Sequence, residues 1–143
     1  MLVATILHAK GRDVATIRKE RSVADAVAML RERGIGALVV TSSSSPVEGM
    51  FSERDIVRAL ATHADKVLDL KVAELMSTDV TTCGEDTSVT ELMGLMTSHR
   101  IRHVPVVEDG TLRGLISIGD VVKARLDELE HEKKELLDYV SAR

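Results

Sequence analysis

The sequence predicts a mixed α/β (α+β) fold: two β-α-β-β-α repeats related by a pseudo-twofold axis, followed by an extended C-terminal helix. Three observations carry this. The chain aligns with itself over most of its length; each copy sets apolar residues at helical spacing ahead of two β-rich runs; and the last stretch keeps helical spacing with no counterpart in the first copy.

In the alignment, Asp13-Val14 meets Asp79-Val80, Thr16 meets Thr82, Ser22-Val23 meets Ser88-Val89, Ile35 meets Ile101 and Val40 meets Val106. One residue is then lost in a loop, after which Gly49, Ser52, Asp55, Val57 and Ala59 meet Gly114, Ser117, Asp120, Val122 and Ala124. A long self-match with one gap, placed where a loop is expected, marks a duplication. The repeats are expected at residues 8–63 and 74–128, leaving 129–143 as a helical extension. Neither repeat has enough apolar face to stand alone, so the economical arrangement packs one on the other and sets equivalent corners about a shared cleft.

Each repeat opens on a short extended piece, "DVATI" or "DVTTC". A helix follows, "SVADAVAMLRERG", in which Val23, Ala26, Val27 and Leu30 recur at helical spacing, Ser22 is the N-cap and Gly34 the stop. Its counterpart, "SVTELMGLMTSHR", pairs Ser88 with Glu91 in capping-box spacing. Next come two β-rich runs, "IGALVV" and "VEGMF" in one copy, "RHVPVV" and "LRGLI" in the other. The "EDGT" turn reads as a tight hairpin and "TSSSSP" as a looser one. Pro105 signals an edge position or a departure from regular pairing. After Asp120 the helix pattern runs on, with Leu126, Leu129, Lys133, Leu136 and Val140 at alternating three- and four-residue steps. That helix either lies across its own repeat or binds a partner or second copy.

Composition narrows the function. The chain has 143 residues, 44% of them hydrophobic and 29% charged, as in soluble globular proteins, and no apolar run reaches membrane-spanning length. The first residues read as a folded segment rather than a leader, and the single cysteine, Cys83, leaves no intrachain disulfide, so a cytoplasmic location is expected. A net charge of −4, with one Phe, one Tyr and no Trp, argues against a nucleic-acid binder. Basic clusters at Arg18-Lys19-Arg21, Arg31/Arg33 and Arg100-Arg102-His103 could still hold a small anion; a nucleic-acid contact through the first is the least favoured reading. There is no Walker loop, "GIG" at 34–36 lacks a third glycine, and "HEKKE" lacks the second histidine of a zinc helix. Cys83 has no sequence-evident base, and His63 and His99 read as ordinary helix-end residues. No metal or required cofactor is expected, and the chain reads as a non-enzyme.

What remains is the corner written twice, "GMFSERDIVRAL" and "GLISIGDVVKARL". Ser-x-x-Asp ahead of an apolar helix is a capping box. It also sets a carboxylate and a hydroxyl at a helix N-terminus, where unpaired N–H groups suit a phosphate and the carboxylate can accept two hydrogen bonds from the vicinal hydroxyls of a ribose. Capping and binding are compatible.

These corners, together with "RIRHVPVVEDGTLRGLIS", resemble a tandem pair of cystathionine β-synthase (CBS) domains, the Bateman module, over about residues 8–128. The resemblance implies two clefts between repeats that take adenosine-containing ligands: AMP, ADP, ATP, NADH or S-adenosylmethionine. It implies that Asp55 and Asp120 hold ribose, that Ser52 and Ser117 lie near ribose or phosphate, and that Met50, Phe51, Leu115 and Ile116 form cleft wall. Val14, Ala15, Thr16 and Ile17, and likewise Val80, Thr81, Thr82 and Cys83, match the strand that flanks the base. Where the first repeat has Gly36-Ala37 the second has Arg102-His103. Small residues make room for a base and cationic ones suit phosphate, so the Asp120 cleft is expected to be the better site, with Arg102 and His103 toward phosphate. The resemblance also implies a flat homodimer. The leading functional reading is a regulatory module that binds an adenine nucleotide and acts on a protein target in trans; the alternative is a ligand-free dimeric scaffold built on the C-terminal helix.

Overall fold

The computed structural model describes residues 1–142. A leading helix, α1 (Val3–Lys10), precedes the first repeat: β1 (Thr16–Arg18), α2 (Val23–Arg33), β2 (Ala37–Thr41), β3 (Gly49–Ser52) and α3 (Glu53–His63). A 3-10 segment (Ala64–Asp69) and a short α4 (Val72–Leu75) lead into the second: α5 (Val89–His99), β4 (His103–Glu108), β5 (Thr111–Ser117) and α6 (Ile118–Ser141). The α/β repeat architecture and the long final helix are those the sequence predicts. Among the described residues no helix is long and apolar enough to cross a membrane.

The caps fall where their residue types put them. Ser22 Oγ accepts from the Asp25 N–H at 3.0 Å and Ser88 Oγ from the Glu91 N–H at 3.0 Å. α2 ends on Gly34 in the left-handed region (φ 61°), a conformation that costs glycine little. α5 ends at the equivalent position on Arg100 (φ 54°), which has no such freedom. The "EDGT" turn is a two-residue hairpin with φ 50° at Asp109 and 71° at Gly110.

One predicted strand is missing. In the first sheet β1 runs parallel to β2 and β3 antiparallel to it, giving the order β1-β2-β3. The second sheet holds β4 and β5 alone, and the "DVTTC" piece is reduced to one parallel bridge between Cys83 and Val106. Pro105 accounts for the loss. The Val39 N–H donates to the Ala15 carbonyl at 3.1 Å, and Pro105, standing at the equivalent place, has no N–H to give Thr81. What survives is the Cys83 N–H on the Pro105 carbonyl (3.0 Å) and the Val107 N–H on the Cys83 carbonyl (2.9 Å).

There are two cores, and each is completed by a helix that leads into the opposite repeat: α1 joins the second core, and α4, just past the first repeat in the chain, joins the first. The second repeat's core combines Val89, Leu92, Val104 and Ile116 with Val3, Ile6 and Leu7 of α1. The first repeat's core combines Val23, Leu38, Val40 and Phe51 with Val67 and, from α4, Val72. The exchange is reciprocal down to single hydrogen bonds. Val3 and Ala4 donate to the Thr87 and Glu85 carbonyls, both at 2.9 Å, and Val89 donates to the Met1 carbonyl at 2.9 Å. Val72 and Ala73 donate to the Arg21 and Lys19 carbonyls at 2.9 and 3.0 Å, and Val23 donates to the Leu70 carbonyl at 2.8 Å.

This exchange explains the glycine ahead of each corner. A Cβ on Gly114 would stand 2.5 Å from Leu7 Cδ2; one on Gly49 would stand 2.6 Å from the Ser77 carbonyl oxygen and 3.1 Å from Met76 Sδ. Only glycine lets the incoming segment lie against the strand.

α6 is anchored through Val121 and Ala124 and then leaves the body: residues 129–142 are all exposed. At 24 residues it is about 36 Å long, so the reading in which it lies across its own repeat holds only for its first turns.

Candidate functional site

Two clefts lie between the repeats, sharing Gly36, Ala37 and His103 as common wall. Their volumes, about 510 and 450 Å³, are in the range of small-molecule sites. At the first, β3 hands over to α3 and presents the Ser52/Asp55 corner. Asp55 Oδ2 accepts from the Ser52 N–H at 2.8 Å and from the Ser52 hydroxyl at 3.2 Å. At the second, β5 hands over to α6. Asp120 Oδ2 accepts from the Ser117 N–H at 2.8 Å while Ser117 Oγ accepts from the Asp120 N–H at 3.2 Å, a complete capping box.

The first cleft holds more charged groups of both signs. Arg54 and Arg58 from α3 face Arg100 and Arg102 from the opposite repeat, against Glu53, Asp55 and Asp79. Met50, Val80 and Thr81 complete its wall. The second cleft is lined by Val14, Ala15, Leu115 and Ser117, with Lys10, Asp13 and Arg33 as its charged groups.

The sequence-predicted residues therefore divide. Met50, Ser52, Asp55, Val80 and Thr81 come together at the first cleft and Val14, Ala15, Leu115 and Ser117 at the second. The pairing of Arg102 with Asp120 is corrected: Arg102 lines the Asp55 cleft, because each corner faces the other repeat's strand edge. Phe51 and Ile116 are also corrected, both fully buried in the cores, since side chains alternate along a strand and Met50 and Leu115 take the cleft side. Ile17 and Cys83 are core residues for the same reason, and Thr16 and Thr82 are exposed without lining either cleft.

Sequence reasoning missed Glu53, Arg54, Arg58 and Asp79 at the first cleft, and Lys10 and Asp13 at the second. Arg54 and Arg58 are the second and sixth residues of the helix that begins at a candidate corner, so its N-terminal face was the signal. Lys10 lies ahead of Asp13, the first residue matched in the self-alignment, and carried none.

The electrostatics differ at the two corners. Burial pushes the Asp120 carboxyl up, but hydrogen bonds from Lys10 and from the Ser117 amide and hydroxyl outweigh it and hold the group below its ordinary value. Burial lowers His103, with Lys10 and Arg102 adding to that and Asp120 and Glu53 opposing it, so the shared wall carries a neutral imidazole at neutral pH. Burial, reinforced by Glu91 and Glu108, pushes the Cys83 thiol up to about 11, which leaves it unreactive as a nucleophile. No group of metal-ligating side chains is present among the described residues.

The CBS domain family model matches residues 9–62 and 72–127. The mitochondrial CBS domain-containing protein CBSX3 of Arabidopsis thaliana is 35% identical over 123 residues; the match covers 83% of this chain and 60% of that protein, so the chain spans about three-fifths of that relative. The crystal structure of a CBS-domain containing protein from Agrobacterium tumefaciens superposes with a TM-score of 0.84 at 44% identity, covering 87% of this chain and 99% of that one. The CBS domain pair of protein MJ0100, solved in complex with 5′-methylthioadenosine and S-adenosyl-L-methionine, has a TM-score of 0.75 at 26% identity, covering 87% of this chain and 98% of that one.

Proposed function

Because the chain belongs to the CBS domain family, we propose that it is a non-catalytic regulatory module that binds an adenosine-containing ligand between its repeats and controls a protein partner in trans. AMP, ADP, ATP, NADH and S-adenosylmethionine are the candidate ligands. The observation that carries this is the Asp55 corner. A carboxylate held by its own cap lines a cleft whose near wall, on the same repeat, is small at Gly36 and Ala37 and whose flanks are arginines, an arrangement that matches ribose, base and phosphate in turn. The MJ0100 pair, which binds adenosine compounds on a similar fold, supports the ligand class. The free, buried Cys83 suits a reducing compartment such as the cytoplasm.

A ligand that binds only the folded form at 100 times its dissociation constant stabilises it by about 2.7 kcal/mol. A thermal-shift series with AMP, ATP, NADH and S-adenosylmethionine should therefore show a rise for at least one, reduced in Asp55→Ala. Flat melting curves with all four would remove this reading.

A homodimer is the second part of the proposal, supported by exposed apolar residues on α3 (Val57, Leu60) and α6 (Val122, Leu126, Leu129). The same residues support the alternative, a ligand-free scaffold. A dimer in light scattering that is lost on truncation after Leu126, with no nucleotide effect on melting, would favour the scaffold.

A further inference from the structure

The two corners are equivalent by sequence and unequal in the fold. Asp55 lines its cleft, whereas Asp120 does not line the other one. The difference is Lys10, at the end of the exchanged helix α1. Its ammonium lies 2.6 Å from Asp120 Oδ2 and donates a second hydrogen bond to the Leu115 carbonyl at 2.8 Å, so it is tethered over the corner by two oxygens.

Internal symmetry supplies the control. α1 and α4 enter their host cores through matching hydrogen bonds, and Leu7 abuts Gly114 as Met76 abuts Gly49. Asp79 lines the first cleft, and an acidic side chain cannot neutralise Asp55. Asp55 accepts only from Ser52 among the described residues. The repeat alignment pairs Asp79 with Asp13, which lines the second cleft, and gives Lys10 no cationic counterpart at the first.

We propose that Lys10 is a built-in competitor at the second corner, holding the carboxylate a ribose would need, so that ligand fills the Asp55 cleft first and the Asp120 cleft only as Lys10 releases. This rests on the reading that these carboxylates receive ribose hydroxyls. A neutral hydroxyl replacing an ammonium keeps a hydrogen bond to the carboxylate but gives up the ion pair, and it leaves the lysine to find water. The pair is part-exposed, with side chains 35% and 22% accessible, so the handicap is moderate: about five- to tenfold in affinity.

The test is calorimetry of the full chain with AMP and, separately, with adenosine, which has no phosphate for Lys10 to meet. Wild type should show two unequal sites, and Asp55→Ala should lose the tighter one. Lys10→Met, which keeps the stem, should strengthen the weaker site five- to tenfold with both probes, so that the two converge; Lys10→Gln provides a second uncharged variant, with folding of each checked by its melt. Independently of ligand, an NMR titration should find the Asp120 carboxyl moved up in Lys10→Met. Equal sites in wild type, loss of the weaker site in Asp55→Ala, a weaker site unmoved by Lys10→Met, or one that weakens further would each overturn the competitor role while leaving nucleotide binding intact. Absence of heat from every variant with either probe would instead remove the function reading itself, and this inference with it.

Discussion

Arg100 holds a backbone conformation that its counterpart Gly34 adopts freely, at φ 54° and ψ 44° against 61° and 40°. The left-handed region costs an L-residue roughly 1–2 kcal/mol. Arg100 also lines the Asp55 cleft, and its carbonyl accepts from Arg54 Nη1 at 3.5 Å. Arg100→Gly should raise the melting temperature by about 3–7 °C and weaken phosphorylated ligands more than adenosine. A lower melting temperature would show that the arginine stabilises the turn rather than straining it. At this scale the repeat made Ser52, Asp55, Ser117 and Asp120 visible, because doubled polar residues at fixed spacing stand out in an apolar context. It could not separate Met50 from Phe51 or Leu115 from Ile116. Both members of each pair are apolar, so no alternation marked which faced the cleft.

Among the elements, the helices were the most readable, since caps and apolar spacing agree in α2 and α5. Pro105 announced irregularity, but its consequence fell on a different segment, 80–83, whose strand lost its hydrogen-bond donor across the pair. α6 was foreseen as long; where it stops packing was not, because Leu126, Leu129, Leu136 and Val140 keep the same spacing on and off the body. Every residue of 129–142 is exposed, so a chain ending at Glu128 should melt within about 2 °C of the full chain. A fall well beyond that would mean that the distal helix is buried in solution against another chain.

The whole molecule is held together by the exchange of α1 and α4, which the self-alignment did not reveal. Val3-Ala4 and Ile6-Leu7 do echo Val72-Ala73 and Leu75-Met76, but at a spacing different from the rest of the repeat, so the register that found the corners passes over them. The exchange predicts which pieces fold. Residues 12–78 contain the whole first core, from Ile17 to Val72 with Leu75 and Met76, whereas residues 1–66 lack Val67 and Val72 and carry Val3, Ile6 and Leu7 unburied. By circular dichroism the first fragment should melt cooperatively and the second should not. Equal behaviour of the two would mean that the exchanged helices contribute little. In the full chain both repeats should melt in one transition, each core being completed by a segment outside its own repeat.

α1 is also out of step with synthesis. It is made ahead of the first repeat, yet the residues that bury it run from Cys83 to Ala124. At roughly 5–20 residues per second, a ribosome needs on the order of ten seconds to deliver them. Throughout that interval Val3, Ile6 and Leu7 travel as an uncovered greasy stripe on a nascent chain, the kind of surface that chaperones at the exit tunnel are built to shield.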